Sequence, residues 1–303
     1  MPTRSPFALA ALATAAVRGM QTVGDGTPAK PDADVDVALV EDDVQRRWLV
    51  RSPCTPAAAA RLDQERRVLE ALAGLLPFAV PHVSGVATLP EGGVVAVHRT
   101  LTGFPVDLAA LQPGPGLAAA LGRALAAVHD LPETLAEQVG LPAYTAEEYR
   151  QRRLAEVDRA AASGSVPAPL LARWEKALEE AGAWRFVPCI VHGDLAAENV
   201  LVEHAGVVGM LEWGEARLAD PADDLAWVVV GASAAAQESV IEAYVHTRRS
   251  APDRALPRRA RLAGELALAR WLLHGVTTDD DTVVADAVAM LDELDLAVGG
   301  QPL

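Results

Sequence analysis

Apolar and polar positions change rhythm along this chain, and the change divides it. Alternation in Val35-Asp36-Val37-Ala38-Leu39-Val40 and again in Trp48-Leu49-Val50-Arg51, around the polar Glu41-Asp42-Asp43-Val44-Gln45, predicts an antiparallel hairpin. Thr55-Pro56 then offers a capping hydroxyl and a proline at the first helical position. The run from there to Leu76 sets Leu62, Val68, Leu69, Leu72 and Leu75 largely on one face, and Pro77 ends it. Residues 83–89 and 94–97, separated by Pro90-Glu91-Gly92-Gly93, predict a second hairpin, broken off by Thr102-Gly103-Phe104-Pro105.

Beyond Pro105 the period lengthens to that of amphipathic helices, expected over 117–129, 146–162, 168–181, 221–231, 237–246, 258–274 and 283–296. Short β-like pieces at 189–191, 200–202 and 207–211 interrupt them. A small β-rich lobe followed by a larger, mainly helical one predicts an α+β, bilobal protein. The expected division is an N-terminal lobe over 1–101, a connecting segment at about 98–101, a helical lobe over 102–303, and a cleft between lobes.

Composition narrows the function classes. With 303 residues and 51% hydrophobic content there is ample material for a packed core. No apolar run reaches the roughly 18 residues that cross a bilayer, so no membrane role is expected, and the apolar stretch from Ser5 to Met20 reads as a surface helix. Cys54 and Cys189 belong to no metal or disulfide pattern, which suits a reducing cytoplasm. A net charge of −15 repels phosphate backbones and argues against nucleic acid as a partner. It would attract an amine-bearing ligand, or serve only solubility. A monomer is expected.

The segment richest in chemistry is His192-Gly193-Asp194-Leu195-Ala196-Ala197-Glu198-Asn199, followed by Leu211-Glu212-Trp213-Gly214. An acid and an amide five residues apart, with a further acid on the next hairpin, are what phosphoryl transfer needs. One carboxylate orients and deprotonates the attacking hydroxyl, while the amide and the second acid hold magnesium against the phosphates.

This segment resembles the HGDxxxxN catalytic loop of aminoglycoside phosphotransferases and their macrolide phosphotransferase relatives, which have a protein-kinase-like fold. Leu211 to Ala226 is similar to that family's I-D-W-x-x-A-x-x-x-D-P-x-x-D stretch. Arg46 to Pro53, Glu65-Arg66-Arg67-Val68-Leu69 and Leu76 to Pro81 resemble the macrolide branch. The resemblance implies Asp194 as catalytic base, His192 bracing its loop, and Asn199 and Glu212 as ligands of Mg2+. It implies Arg51, paired to Glu65, on the nucleotide phosphates, and backbone groups of His98, Arg99, Thr100 and Leu101 on the base. GTP (or ATP) is the implied co-substrate and a macrolide the implied acceptor; another small hydroxyl compound such as an aminoglycoside, or a nucleotide-binding pseudokinase, are the alternatives.

Two positions depart from the family pattern. Glu212 stands where aspartate is usual, one methylene longer for a cation that demands near-ideal octahedral geometry. Arg51 stands where most kinases carry lysine, and can contact phosphate bidentately. Gly24-Asp25-Gly26-Thr27 matches no strict phosphate-loop spacing and reads as a flexible turn. His129 is expected to satisfy carbonyls at its helix end, Asp224 to hydrogen-bond the catalytic loop, and Trp271 and His274 to sit in the core or a pocket wall.

Overall fold

The computed structural model describes residues 4–29, 34–90, 92–298, 301 and 303. The chain divides into two compact units, the first comprising 1–106, 137–139 and 198–216, the second 107–136, 140–197 and 217–303.

The first unit is built on a five-stranded antiparallel sheet of order β1-β2-β3-β5-β4. Its strands are β1 (Thr22–Pro28), β2 (Val35–Asp42), β3 (Arg47–Pro53), β4 (Val83–Thr88) and β5 (Val94–Arg99), and its helices α1 (Pro6–Ala16) and α2 (Pro56–Leu72). Alternation decides which side chain goes where. On one face Ala38, Val40, Trp48, Val50, Val95 and Val97 pack with Leu9, Ala10 and Ala13 of α1. The expected surface helix thus buries one face, so that Gly85 of β4 becomes obligatory: a Cβ there would stand 2.2 Å from the Ala16 carbonyl oxygen. On the other face α2 contributes Ala58 and Leu62 against Val35, and Arg51 points to that side.

The β2–β3 turn is tied by Asp42, which accepts from the N–H groups of Val44 and Arg46 and from Trp48 Nε1. Gly24 and Gly26, expected in a turn, lie instead in β1, where the register with β2 shifts between Val23 and Thr27. Both have positive φ, 76° and 72°, so glycine here makes a bulge within a strand and not a separate loop. Glu91 of the expected second turn lies outside the described residues. Helix α2 stops at Leu72, four residues short of the expected end, and Leu75 is exposed. Strands β6 (Phe104–Pro105), β8 (Val200–Glu203) and β9 (Gly206–Met210) form a separate three-stranded sheet in this unit, in the order β6-β8-β9.

The second unit is helical. It holds α3 (Leu117–His129), α5 (Ala146–Ala162), α6 (Ala168–Glu179), α7 (Asp223–Gly231), α8 (Ala234–Thr247), α9 (Leu256–Thr278) and α10 (Asp281–Val298), with β7 (Cys189–Val191) pairing β10 (Arg217–Ala219). The short helix α4 (Thr134–Val139) has no counterpart among the helices expected from the sequence. Tyr149, Leu170, Trp174, Leu178, Leu262 and Leu291 anchor the core of this unit. Trp271 lies outside that core, partly exposed, stacked on His274 with ring centroids 5.5 Å apart and donating to Asp286 at 2.8 Å. Among the described residues no helix is long and apolar enough to cross a membrane.

Candidate functional site

In the first unit, β3 and α2 present a cation and an anion to each other. Arg51 Nη1 donates to Glu65 Oε2 at 2.6 Å, and Arg51 Nη2 donates to Glu212 Oε2 at 3.1 Å. Glu65 Oε1 accepts from the Trp213 N–H at 3.2 Å, so one buried carboxylate ties the strand arginine to the backbone beyond Glu212. Burial pushes the Glu65 carboxyl above its usual range; Arg51 opposes this and the negative charge of Glu212 reinforces it.

The β8–β9 hairpin sets the other oxygen donors. Val200 pairs with Met210, and the ladder continues one rung further, the Leu211 N–H donating to the Asn199 carbonyl at 2.8 Å. Asn199, at the end of a 3-10 turn before β8, and Glu212, directly after the residue bonded to the Asn199 carbonyl, are thereby fixed at the base of one hairpin. Asn199 is buried, whereas the Glu212 side chain is 37% exposed. Only Oε2 of Glu212 is engaged, and Oε1 has no hydrogen-bond partner among the described residues. Among those residues no group of three or more His, Cys, Asp or Glu side chains makes a protein-only metal cage. An all-oxygen pair of one amide and one carboxylate, with a carboxylate oxygen to spare, fits magnesium completed by phosphate and water. Glu212 has φ 61° and ψ 60°, the left-handed region that asparagine and aspartate enter far more readily than glutamate.

The expected nucleobase segment corrects one expectation. His98 and Arg99 are not in a connector but are rungs of β5, opposite Leu49 and Trp48, because pairing with β3 carries the strand on to Arg99. The Thr100 N–H is taken by the Arg47 carbonyl at 3.1 Å. Of the four residues, Leu101 is the one outside the sheet whose N–H and carbonyl have no partner among the described residues.

His98 is 5% exposed, and its Nε2 is buried with no hydrogen-bond partner among the described residues. It faces a cavity of about 10 Å³ shared with Arg51, Leu62, Glu65 and Leu69, room for one water. Burial first, then the Arg51 and His82 charges, pull its pKa down to about 4 from an ordinary 6.5. A base that stays neutral in the folded state binds fewer protons there than when unfolded, so its contribution to stability falls as pH drops from about 6.5 towards 4. Replacing it by an apolar residue of similar size removes both this penalty and the orphaned nitrogen. His98→Leu is expected to narrow the difference in urea-unfolding free energy between pH 7 and pH 5 by about 2 kcal/mol. An unchanged difference would refute the burial of a neutral imidazole.

In the second unit, Asp194 is exposed at the end of β7 on a loop fixed from beneath. Asp224 accepts the His192 N–H at 2.6 Å on Oδ2 and the Gly193 N–H at 2.8 Å on Oδ1, while His192 Nδ1 accepts the Asp194 N–H at 3.3 Å. Asp224 and the His192 ring thus both bond backbone N–H groups of this loop. Burial alone would raise the Asp224 carboxyl. The hydrogen bond from His129, the pull of the His129 and His192 rings, and the Gly193 N–H override it and hold the carboxyl below its usual range.

His129 corrects its expected role. Its carbonyl is satisfied by Arg248, and its buried ring contacts Asp224 Oδ2 at 3.2 Å through Nε2 and the Tyr244 hydroxyl at 2.8 Å through Nδ1. No spacing could announce this, since the partners lie 95 and 115 residues away in the chain.

A profile described as the phosphotransferase enzyme family matches residues 25–272. The solved structure of macrolide 2'-phosphotransferase type I is 26% identical, with a TM-score of 0.80 over 96% of this chain and 99% of that one. APH(2")-IIia, solved with GDP and kanamycin, is 18% identical and shares the fold, with a TM-score of 0.71 over 91% of this chain and 93% of that one. Viomycin phosphotransferase of Streptomyces vinaceus is 32% identical over 202 residues, 59% of this chain. The match spans 65% of the length of that relative, and 65% of a second curated relative at 28% identity.

Proposed function

Since this chain belongs to the phosphotransferase enzyme family, we propose that it transfers the γ-phosphate of GTP, or ATP, to a hydroxyl of a macrolide antibiotic, the 2'-hydroxyl of its amino sugar. In this reading Asp194 takes the proton of that hydroxyl as its oxygen forms a bond to phosphorus, and the bond from phosphorus to the β,γ-bridging oxygen breaks, leaving the nucleoside diphosphate. Arg51 contacts the nucleotide phosphates with Glu65 fixing its guanidinium, and the unpartnered backbone groups of Leu101 meet the base. Asn199 and Glu212 would hold magnesium, which when bound screens the charge of the transferring group. The observation that carries the proposal is the Arg51–Glu65 pair tied through Trp213 to the Asn199–Glu212 hairpin, because that arrangement serves a phosphate and a hard cation together.

Support for the macrolide comes from the relative with 26% identity over nearly the whole chain, and a charge of −15 suits an amine-bearing acceptor. The 32% identity to viomycin phosphotransferase favours viomycin as a second acceptor to try. Incubation of the purified protein and magnesium with GTP or ATP, each with erythromycin or viomycin, is expected to add about 80 Da to erythromycin, the mass of one phosphoryl group. A gain on viomycin alone would move the assignment to the second reading. Nucleotide-dependent thermal stabilisation without product from either would favour a pseudokinase.

The metal role of Glu212 makes a paired prediction. Glu212→Asp keeps the charge and suits the left-handed backbone, so turnover is expected to be retained or raised. Glu212→Gly relieves about 1 kcal/mol of backbone cost, offset by about 0.5 kcal/mol from the half-exposed ion pair, and is expected to unfold no earlier than the parent while losing turnover. Magnesium-dependent turnover in the glycine variant would sink the assignment.

A further inference from the structure

The peptide plane that carries Asp194 is held at both of its polar ends, and one of the holders lies outside the catalytic motif. The Asp194 N–H is bonded to His192 Nδ1, and the Gly193 carbonyl of the same peptide accepts from Arg217 Nη2 at 3.1 Å. Gly193 has φ 85°, a conformation that lets this carbonyl turn towards Arg217 while its own N–H meets Asp224. Without a donor at that carbonyl, the Gly193–Asp194 plane would be held at its N–H end alone, and tilting about the flexible glycine torsions would move the Asp194 side chain with it.

Arg217 is itself held rigidly. Its Nη2 also donates to Asp223 Oδ2 at 2.8 Å and to the Tyr149 hydroxyl at 3.4 Å. Asp223 is bonded in turn by the Tyr149 hydroxyl and by Arg153 Nη2 at 2.7 Å, and Arg153 donates to the Tyr149 oxygen at 2.9 Å. The adjacent carboxylates of α7 thus share the support of one loop, since Asp224 holds its N–H groups directly and Asp223 holds its carbonyl through Arg217. We infer that Arg217, buttressed by Asp223 and Tyr149, is a positioning residue that sets the orientation of Asp194 for proton removal.

The inference rests on the phosphotransferase reading only for its kinetic arm. The test substitutes Arg217→Met, which keeps an unbranched apolar stem and removes the donors, and Arg217→Lys, which restores one. Asp223 keeps Arg153 and Tyr149 in either variant, so the fold survives. With GTP, magnesium and erythromycin, kcat of the methionine variant is expected to fall about 100-fold, the scale of a 1 Å misplacement of a reacting group, with KM for both substrates within about twofold. The lysine variant is expected to recover at least a tenth of the loss on a logarithmic scale, at a melting temperature equal to that of the methionine variant. A kcat within about threefold of the parent, or a loss shared equally by kcat and folded fraction, overturns the inference.

Hydrogen-exchange mass spectrometry on a peptide covering residues 190–197 needs no acceptor. Faster exchange in Arg217→Met confined to that peptide supports the clamp, and unchanged exchange overturns it even if the parent phosphorylates nothing offered. Absence of turnover in the parent alone would therefore count against the proposed acceptor, while the exchange result decides the clamp.

Discussion

Asp194→Asn is expected to lower turnover about 1000-fold while leaving nucleotide binding and folding intact. The amide is nearly isosteric with the carboxylate but has no lone pair basic enough to accept the acceptor's hydroxyl proton, so only positioning and charge screening would remain. Asp194 is exposed, and its backbone N–H, held by His192, is kept by the substitution. Melting temperature, and its rise with GTP and magnesium, should therefore match the parent within error. The measurement is product formation by mass against enzyme concentration, with the thermal shift run in parallel. Retention of a tenth or more of the parental rate would remove Asp194 from the role of base. Loss of the nucleotide-induced shift would instead assign it to nucleotide binding.

Much of this is legible in the chain, and what is not has physical causes. The period-two pattern of Val35–Val40 and Trp48–Arg51 places β2 and β3 because one face must be apolar and the other hold Arg51 against Glu65, and both partners are foreseeable. The helical ends are less legible. Leu75 satisfies the amphipathic spacing of α2, but the helix stops at Leu72 and Gly74 takes φ 75°, a local choice that periodicity does not register. In the Gly24–Gly26 stretch, composition suggests a turn where pairing to β2 continues through a bulge, because ladder bonds from a neighbouring strand override local preference. His98 reads as part of a connector because the apolar run of Val94 to Val97 before it gives way to polar residues. Tertiary pairing with Leu49 draws it into the sheet and buries a ring nitrogen without a partner among the described residues.

The loop braces show the same limit more sharply. Asp224 can be placed because it falls at a fixed distance from Asp220-Pro221 in a recognisable stretch. His129 and Arg217 cannot, since their partners are set by how α3, α7, β7 and β10 pack within the second unit. The Arg51–Glu212 contact is likewise invisible in sequence, where one residue points to phosphate and the other to metal, and their mutual attraction follows only once the hairpin is in place.

Asp224→Ala should be the most destabilising substitution among the residues discussed. The side chain is fully buried and accepts two backbone N–H groups and contacts one imidazole, so truncation leaves three polar groups without this partner in a region that excludes water. Each buried donor left without a partner costs about 1–3 kcal/mol, against about 1 kcal/mol for the net worth of a neutral hydrogen bond, so the loss is expected to reach about 3–5 kcal/mol. Because the Asp224 carboxyl is held below its usual range, its contribution is complete above the ordinary aspartate pKa of about 3.9 and is lost only as pH falls through the lower folded-state value. The deficit of the alanine variant is therefore expected to be constant from pH 8 to pH 5 by urea unfolding, and to shrink only in stronger acid. A His129→Leu partner variant separates the ring from the loop. If the His129–Asp224 contact is a real coupling, the double variant should be less destabilised than the two single losses added together, by about 1 kcal/mol or more. Strict additivity would mean that Asp224 acts through the His192 and Gly193 amides alone, and a cost below about 1 kcal/mol for Asp224→Ala would show that the loop beneath Asp194 is held by something other than this carboxylate.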